Sequence, residues 1–230
     1  AETEKHGAWP TEIPHNDPAH FTGERRPIPA REHNPYVEAF WKWWPELYPQ
    51  LRHFRMTGGE PMMDKNTYKV FDYVIENPKK DLHLNVTSII TMNNLSVSSL
   101  KELLENILRL REQYSTTYQR VWFDTPILRF PIWQHIGLLD ESFNHYFEEA
   151  IQFMKDHQHD SDMAGFRDFE IAKLTRTYRI MQQGLENKEQ HLANFWRFFR
   201  THDSRRETDL LGVFPEYKDW FKLCQQATKT

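Results

Sequence analysis

The chain has 230 residues, 39% hydrophobic and 14% aromatic, enough to bury one core built largely on rings. Its 29 basic and 33 acidic residues give a formal charge of −4, which argues against general affinity for nucleic acid or for an anionic membrane. Cys224 is the single cysteine, so an intramolecular disulfide and a multi-cysteine metal or iron–sulfur site are both excluded for this chain alone. No apolar run reaches membrane-spanning length and no secretory signal pattern is present, so the expected compartment is a reducing cytoplasm.

Residues 1–35 read as an irregular, proline-rich N-terminal segment. Six of the 13 prolines fall between 10 and 35, which excludes a helix or a central strand there. Residues 1–9 (AETEKHGAW) resemble the end of a helix, as expected either of a piece of a longer protein or of a processed chain. Asn34-Pro35 then starts a helix, cap followed by proline, with Val37, Phe40, Trp41 and Trp44 on its buried face and Pro45 as its stop. A strand is predicted over 51–57. A helix capped by Asp64 follows, with Tyr68, Phe71 and Ile75 on one side, and Asn77-Pro78 ends it.

Residues 82–88 alternate as a strand, with Leu82, Leu84 and Val86 on one face, and the apolar run 89–92 continues it. Asn93-Asn94 breaks the pattern. Ser99 and Glu102 form a capping-box pair for a helix ending near Tyr114. Residues 120–124 read as a strand closed by Thr125-Pro126, and Asp140 opens a helix with Phe143, Phe147, Ile151 and Met154 inward. A short strand over 166–170, a helix ended by Gly184, and two aromatic-rich helices near 188–201 and 215–226 complete the chain. Strands alternating with helices predict an α/β fold with a parallel sheet, whose ligands sit at the carboxyl ends of the strands. The expected division is an N-terminal segment 1–35, an α/β core 36–175 and a C-terminal helical region 176–230.

The candidate site begins at Gly58-Gly59-Glu60-Pro61, on the turn between the first strand and its helix. Two glycines allow a ligand to approach the backbone closely, a carboxylate accepts hydrogen bonds from an ammonium group, and the proline stiffens the exit. A tight turn chosen for geometry alone would carry the same glycines. Thr87 and Ser88 stand at the next strand end, where hydroxyls serve either a ligand or the local backbone. Asn93 lies at a later one. Residues 156–162 (DHQHDSD) hold metal-ligand types but read better as a solvated loop. Arg197, Arg200, Arg205 and Arg206 read as a solvated helix end paired with Asp203 and Glu207 rather than a phosphate patch.

The strand–GGEP–helix element resembles the radical S-adenosylmethionine enzymes, whose core is a partial (β/α) barrel. The likeness extends, across most of the chain, to a subgroup with a twitch or SPASM-type region, through residues 40–48 (FWKWWPELY), 53–61 (HFRMTGGEP), 82–88 (LHLNVTS), 120–129 (RVWFDTPILR) and 199–206 (FRTHDSRR). The resemblance implies that S-adenosylmethionine is the cofactor, its methionyl amine received by Gly58, Gly59, Glu60 and Pro61, with Thr87, Ser88 and Asn93 contacting its ribose or carboxylate. It also implies a [4Fe–4S] cluster on a CxxxCxxC loop, an electron donor, and a 5′-deoxyadenosyl radical that abstracts hydrogen from a substrate, a peptide or protein in this subgroup.

Two departures qualify the resemblance. The cysteine loop is missing, and its family spacing places it just before Ala1. Residues 86–96 also join, without a crossover, two stretches that the family keeps on separate strands, although a parallel crossover takes a dozen or more residues. An internal deletion fusing them into one strand over 82–92, or a strand with a kink near Ser88–Ile89, is the expectation, and the polypeptide by itself is expected to be inactive. The rival reading is a ligand- or partner-binding module on the same scaffold without redox chemistry. A dinucleotide oxidoreductase is disfavoured, because no GxGxxG follows a predicted strand.

Overall fold

The structure, a computed structural model, describes residues 5–11, 33–58, 64–115, 119–158 and 164–229. It is mixed α/β. Helix α1 (Pro35–Leu47) leads into strand β1 (His53–Gly58), α2 (Lys65–Glu76), β2 (His83–Ile89), α3 (Leu100–Tyr114) and β3 (Val121–Asp124). Helices α4 (Asn144–Asp156), α5 (Asp168–Gln183), α6 (Lys188–Arg206), the single turn α7 (Leu210–Val213) and α8 (Lys218–Gln226) follow. The three strands form one parallel sheet in the order β1-β2-β3, with His53 opposite His83, Gly58 opposite Ser88, and Ile89 opposite Asp124.

Asn34 starts α1 as its sequence dictates, its side-chain oxygen accepting from the Tyr36 and Val37 amides at 3.0 and 3.4 Å. Pro45 does not stop the helix. It sits in the last turn, and the Tyr48 amide still bonds the Trp44 carbonyl behind it. The missing hydrogen bond is offset by rings: Trp44, 1% exposed, has Phe40, Tyr48, Phe54 and Tyr73 centroids at 5.0 to 5.8 Å. Trp43 projects away from this cluster, as its place in the helix requires.

Helix α2 buries a different face from the expected one. Thr67, Val70, Tyr73 and Val74 turn inward, while Tyr68 and Ile75 are 48% and 75% exposed. Two apolar stripes run along this helix, and the inward one is the stripe that meets Trp44 and Leu82.

The 83–92 run is one strand with a break after Ile89. The Ile90 and Met92 amides bond the Asp124 and Pro126 carbonyls at 2.7 Å each, and Met92 forms an isolated parallel bridge with Ile127. Strand β2 itself ends at Ile89, so the expected strand over 82–92 is met as far as this break, which lies beside the kink anticipated near Ser88–Ile89. The predicted strand over 166–170 is not observed: Phe166 makes one bridge to Gln158, and helix begins at Asp168. Glu170 decides this by folding back to accept from the Arg167 amide at 2.9 Å, which starts the helix instead. Ser99 precedes α3 as expected but makes no side-chain cap bond.

The main core is helical and continuous from Met92 to Cys224, with Phe147, Phe166, Phe195, Tyr217 and Trp220 at its centre. The anticipated boundary at 175/176 falls inside α5. Asn94, 0% exposed, ties the end of the sheet to this core: Tyr217 donates to its carbonyl at 2.7 Å, and its amide nitrogen donates to the Trp133 carbonyl at 3.0 Å. Lys5 and His6 are helical, and Gly7 leaves that helix at φ +76°. Arg205 docks this segment on α6, donating to the His6, Gly7 and Ala8 carbonyls at 3.0 to 3.2 Å and lying over the Trp9 ring. The expected ion pairs of Arg205 with Asp203 and Glu207 are thus replaced by carbonyl contacts. Asp203 instead accepts from Thr208 and from the Leu210 amide.

Candidate functional site at the carboxyl edge of the sheet

Parallel pairing sets the ends of β1, β2 and β3 at one edge, which in such sheets is where ligands are met. Gly58 closes β1 at this edge directly beside Ser88. Gly59, Glu60 and Pro61 lie outside the described residues. Thr87 and Ser88 are consecutive in a strand, so their side chains leave opposite faces of the sheet. Ser88 shares its face with Met56 and Phe123, the face packed by helices. Thr87 faces the other way, is 1% exposed, and accepts a hydrogen bond from Arg55 Nε at 2.8 Å.

Asn93 lies beyond the edge, four residues past Ile89. Its side-chain oxygen accepts from the Leu95 amide at 2.8 Å, and its own amide donates to Ser96 Oγ at 2.9 Å. These bonds make it a turn-forming residue. The structure therefore brings Gly58 and Ser88 together, commits Thr87 to Arg55, and sets Asn93 apart.

The face turned away from α1 and α2 carries polar side chains on all three strands, beside Ile89 and the Trp122 ring. Arg55 and Thr57 come from β1, Asn85 and Thr87 from β2, and Trp122 and Asp124 from β3. The His53 and His83 rings pack at 4.8 Å towards its amino end. Asp124 caps its own strand end, accepting from the Thr125 amide at 3.0 Å and pairing with Lys173 of α5. Burial, with Arg176 nearby as a second cause, pulls the Lys173 amine below the ordinary lysine value, although the Asp124 carboxylate acts in the opposite sense. Arg55 and Asn85 were missed as candidates. Their signal was present in the alternation of Phe54-Arg55-Met56 and Leu84-Asn85-Val86, which sends the polar residue of each triplet to the side away from the helices.

The residues of this chain do not fit a [4Fe–4S] cluster. Cys224, the one thiol, is 0% exposed on α8, and burial pushes its pKa far above the ordinary thiol value. Among the described residues no group of three or more His, Cys, Asp and Glu side chains could hold a metal ion. An open groove of about 460 Å³ lies between α3 and α4, lined by Lys101, Glu148, Glu149, Gln152, Phe153 and Asp156 rather than by strand ends. Among the described residues no helix is long and apolar enough to cross a membrane.

No family model matches the chain, and no curated protein or solved structure matches it.

Proposed function

We propose that this chain is a radical S-adenosylmethionine-type scaffold, a partial (β/α) barrel of the cytoplasm, whose carboxyl edge receives S-adenosylmethionine. One observation carries the reading. β1, β2 and β3 pair in parallel and in sequence order, so the strand that leads into GGEP ends beside Ser88. Gly58 and Gly59 would leave room for the methionyl group, and Glu60 would accept from its ammonium as a charge-assisted acceptor. Ser88 is the neighbouring hydroxyl at that edge, while Thr87 acts through Arg55. Hydrogen abstraction, from a peptide or protein in the resembled subgroup, belongs to a form that also supplies three cluster cysteines and an electron donor, and no step of it is assigned to these residues.

The single, buried cysteine favours a second reading, a non-redox module that holds a nucleotide-like ligand or a partner on the same scaffold. Isothermal titration with S-adenosylmethionine, on the wild type and Glu60→Gln, tests the first. Saturable binding weakened about tenfold, the worth of one charge-assisted bond, is expected. Absence of saturable binding would overturn it and leave the module reading.

A further inference from the structure

We infer that the polar face of the sheet carries a binding site for a small oxyanion, with Arg55 as its anchor. Sheets made only of parallel strands are ordinarily apolar and covered on both faces. Here Phe54 and Met56 of β1 go to the helix side, and the exposed Arg55 goes to the other. Its Nε is fixed at 2.8 Å by the hydroxyl of Thr87, itself buried. An arginine held through Nε keeps its two terminal nitrogens as a fork, the geometry that matches a carboxylate or a phosphate.

No carboxylate among the described residues neutralises this fork. Asp124, the acid on the same face, is paired with Lys173. Directly across from Arg55 in register stands Asn85, whose side-chain oxygen is buried without a hydrogen-bond partner. Buried acceptors are ordinarily satisfied, so this one suits a donor brought by a ligand. Trp122, beside Thr87 in the register, supplies a ring on the same face. The occupant that satisfies both groups is an oxyanion with an O–H donor next to its charge, as in a hydroxycarboxylate or a hydrogen phosphate. Charge complementarity selects it: the guanidinium fork of Arg55 brings positive charge and two donor nitrogens to this face. This site does not depend on S-adenosylmethionine binding at the strand ends.

The test is a titration followed by ¹H–¹⁵N NMR at constant ionic strength, with inorganic phosphate, glycolate and chloride as separate probes. The expected result is a saturable shift of the Arg55 Nε–H and Asn85 side-chain amide signals with phosphate or glycolate and none with chloride. Saturation by phosphate alone assigns a phosphate ligand, and saturation by glycolate alone a carboxylate. Affinity is expected to fall at least tenfold in Arg55→Gln. It should fall by a smaller factor in Arg55→Lys, which keeps the charge but loses the fork. Thr87→Val, which frees Nε while retaining Arg55, should also bind more weakly, and it serves if Arg55→Gln does not fold. Shifts that rise linearly, that chloride reproduces, or that persist unchanged in Arg55→Gln or Thr87→Val would overturn the site. S-adenosylmethionine binding, measured separately by calorimetry, can fail without changing any of these outcomes.

Discussion

Arg111 of α3 and Glu170 of α5 form a two-pronged ion pair, Nη2 to Oε1 at 2.7 Å and Nη1 to Oε2 at 3.2 Å, with both side chains almost wholly removed from water. The same guanidinium donates from Nε to the Val121 carbonyl at 3.0 Å, and it lies between the Phe123 and Phe166 rings. One side chain therefore joins α3, β3 and α5, and Glu170 also starts α5 through the Arg167 amide. The desolvation of two charges is large and is met by this full set of partners.

Removal of either partner leaves a buried charge unpaired. Arg111→Met or Glu170→Leu is expected to lower stability by about 3–5 kcal/mol, and the double variant to lose less than the sum of the singles. Urea denaturation with comparison of midpoints measures this. Additive losses would show that the pair does not act as a unit.

His135 makes stability pH-dependent. Burial holds its imidazole below the ordinary histidine value, and its Nδ1 accepts from the Gly137 amide at 3.0 Å, which requires a neutral nitrogen at that position. The folded state thus binds the proton less readily than the unfolded chain. The contribution is complete above the unfolded value of about 6.5 and is lost as pH falls below it and through the depressed folded value. His191, also lowered by burial, acts in the same sense. Thermal unfolding midpoints should fall between pH 7.5 and 5, and His135→Asn should flatten that slope. A slope unchanged in the variant would assign the effect elsewhere.

Much of the framework was legible in the sequence. Asn34-Pro35, Asp64 and the Asn77-Pro78 stop each act through one local hydrogen bond or ring constraint, so short stretches were enough to place α1's start and the whole of α2. Three features were set by partners distant in sequence. The inward face of α2 was chosen by Trp44 and Leu82, Pro45 was carried by the ring cluster around Trp44, and the start of α5 was fixed by Glu170, itself held by Arg111. The candidate edge followed from the order of strands and the GGEP turn. The opposite directions of Thr87 and Ser88 were readable from strand period, whereas the Arg55–Thr87 bond depended on parallel register, which no local pattern encodes.

Tyr217 joins the C-terminal helices to the turn after β2. Its hydroxyl donates to the Asn94 carbonyl at 2.7 Å in a buried position, and burial raises its pKa well above the ordinary phenol value. Tyr217→Phe keeps the ring and leaves that carbonyl unsatisfied, for an expected loss of about 1–3 kcal/mol. Guanidinium denaturation of the variant checks it, and a midpoint equal to wild type would mean that another donor replaces the hydroxyl.

The thiol of Cys224 sets a limit on cluster chemistry that can be measured directly. It is fully buried on α8 and its pKa is raised by that burial, so a thiol reagent at neutral pH should react only at the rate at which the folded state opens. Labelling is expected to be slow natively and complete in denaturant. Anaerobic treatment with iron and sulfide followed by reductant and S-adenosylmethionine should then give no 5′-deoxyadenosine, because three cluster ligands cannot be drawn from one inaccessible thiol. Rapid native labelling would place Cys224 outside the core. Stoichiometric iron and sulfide with 5′-deoxyadenosine above a protein-free control would show that other side chains, or a second chain, hold a working cluster.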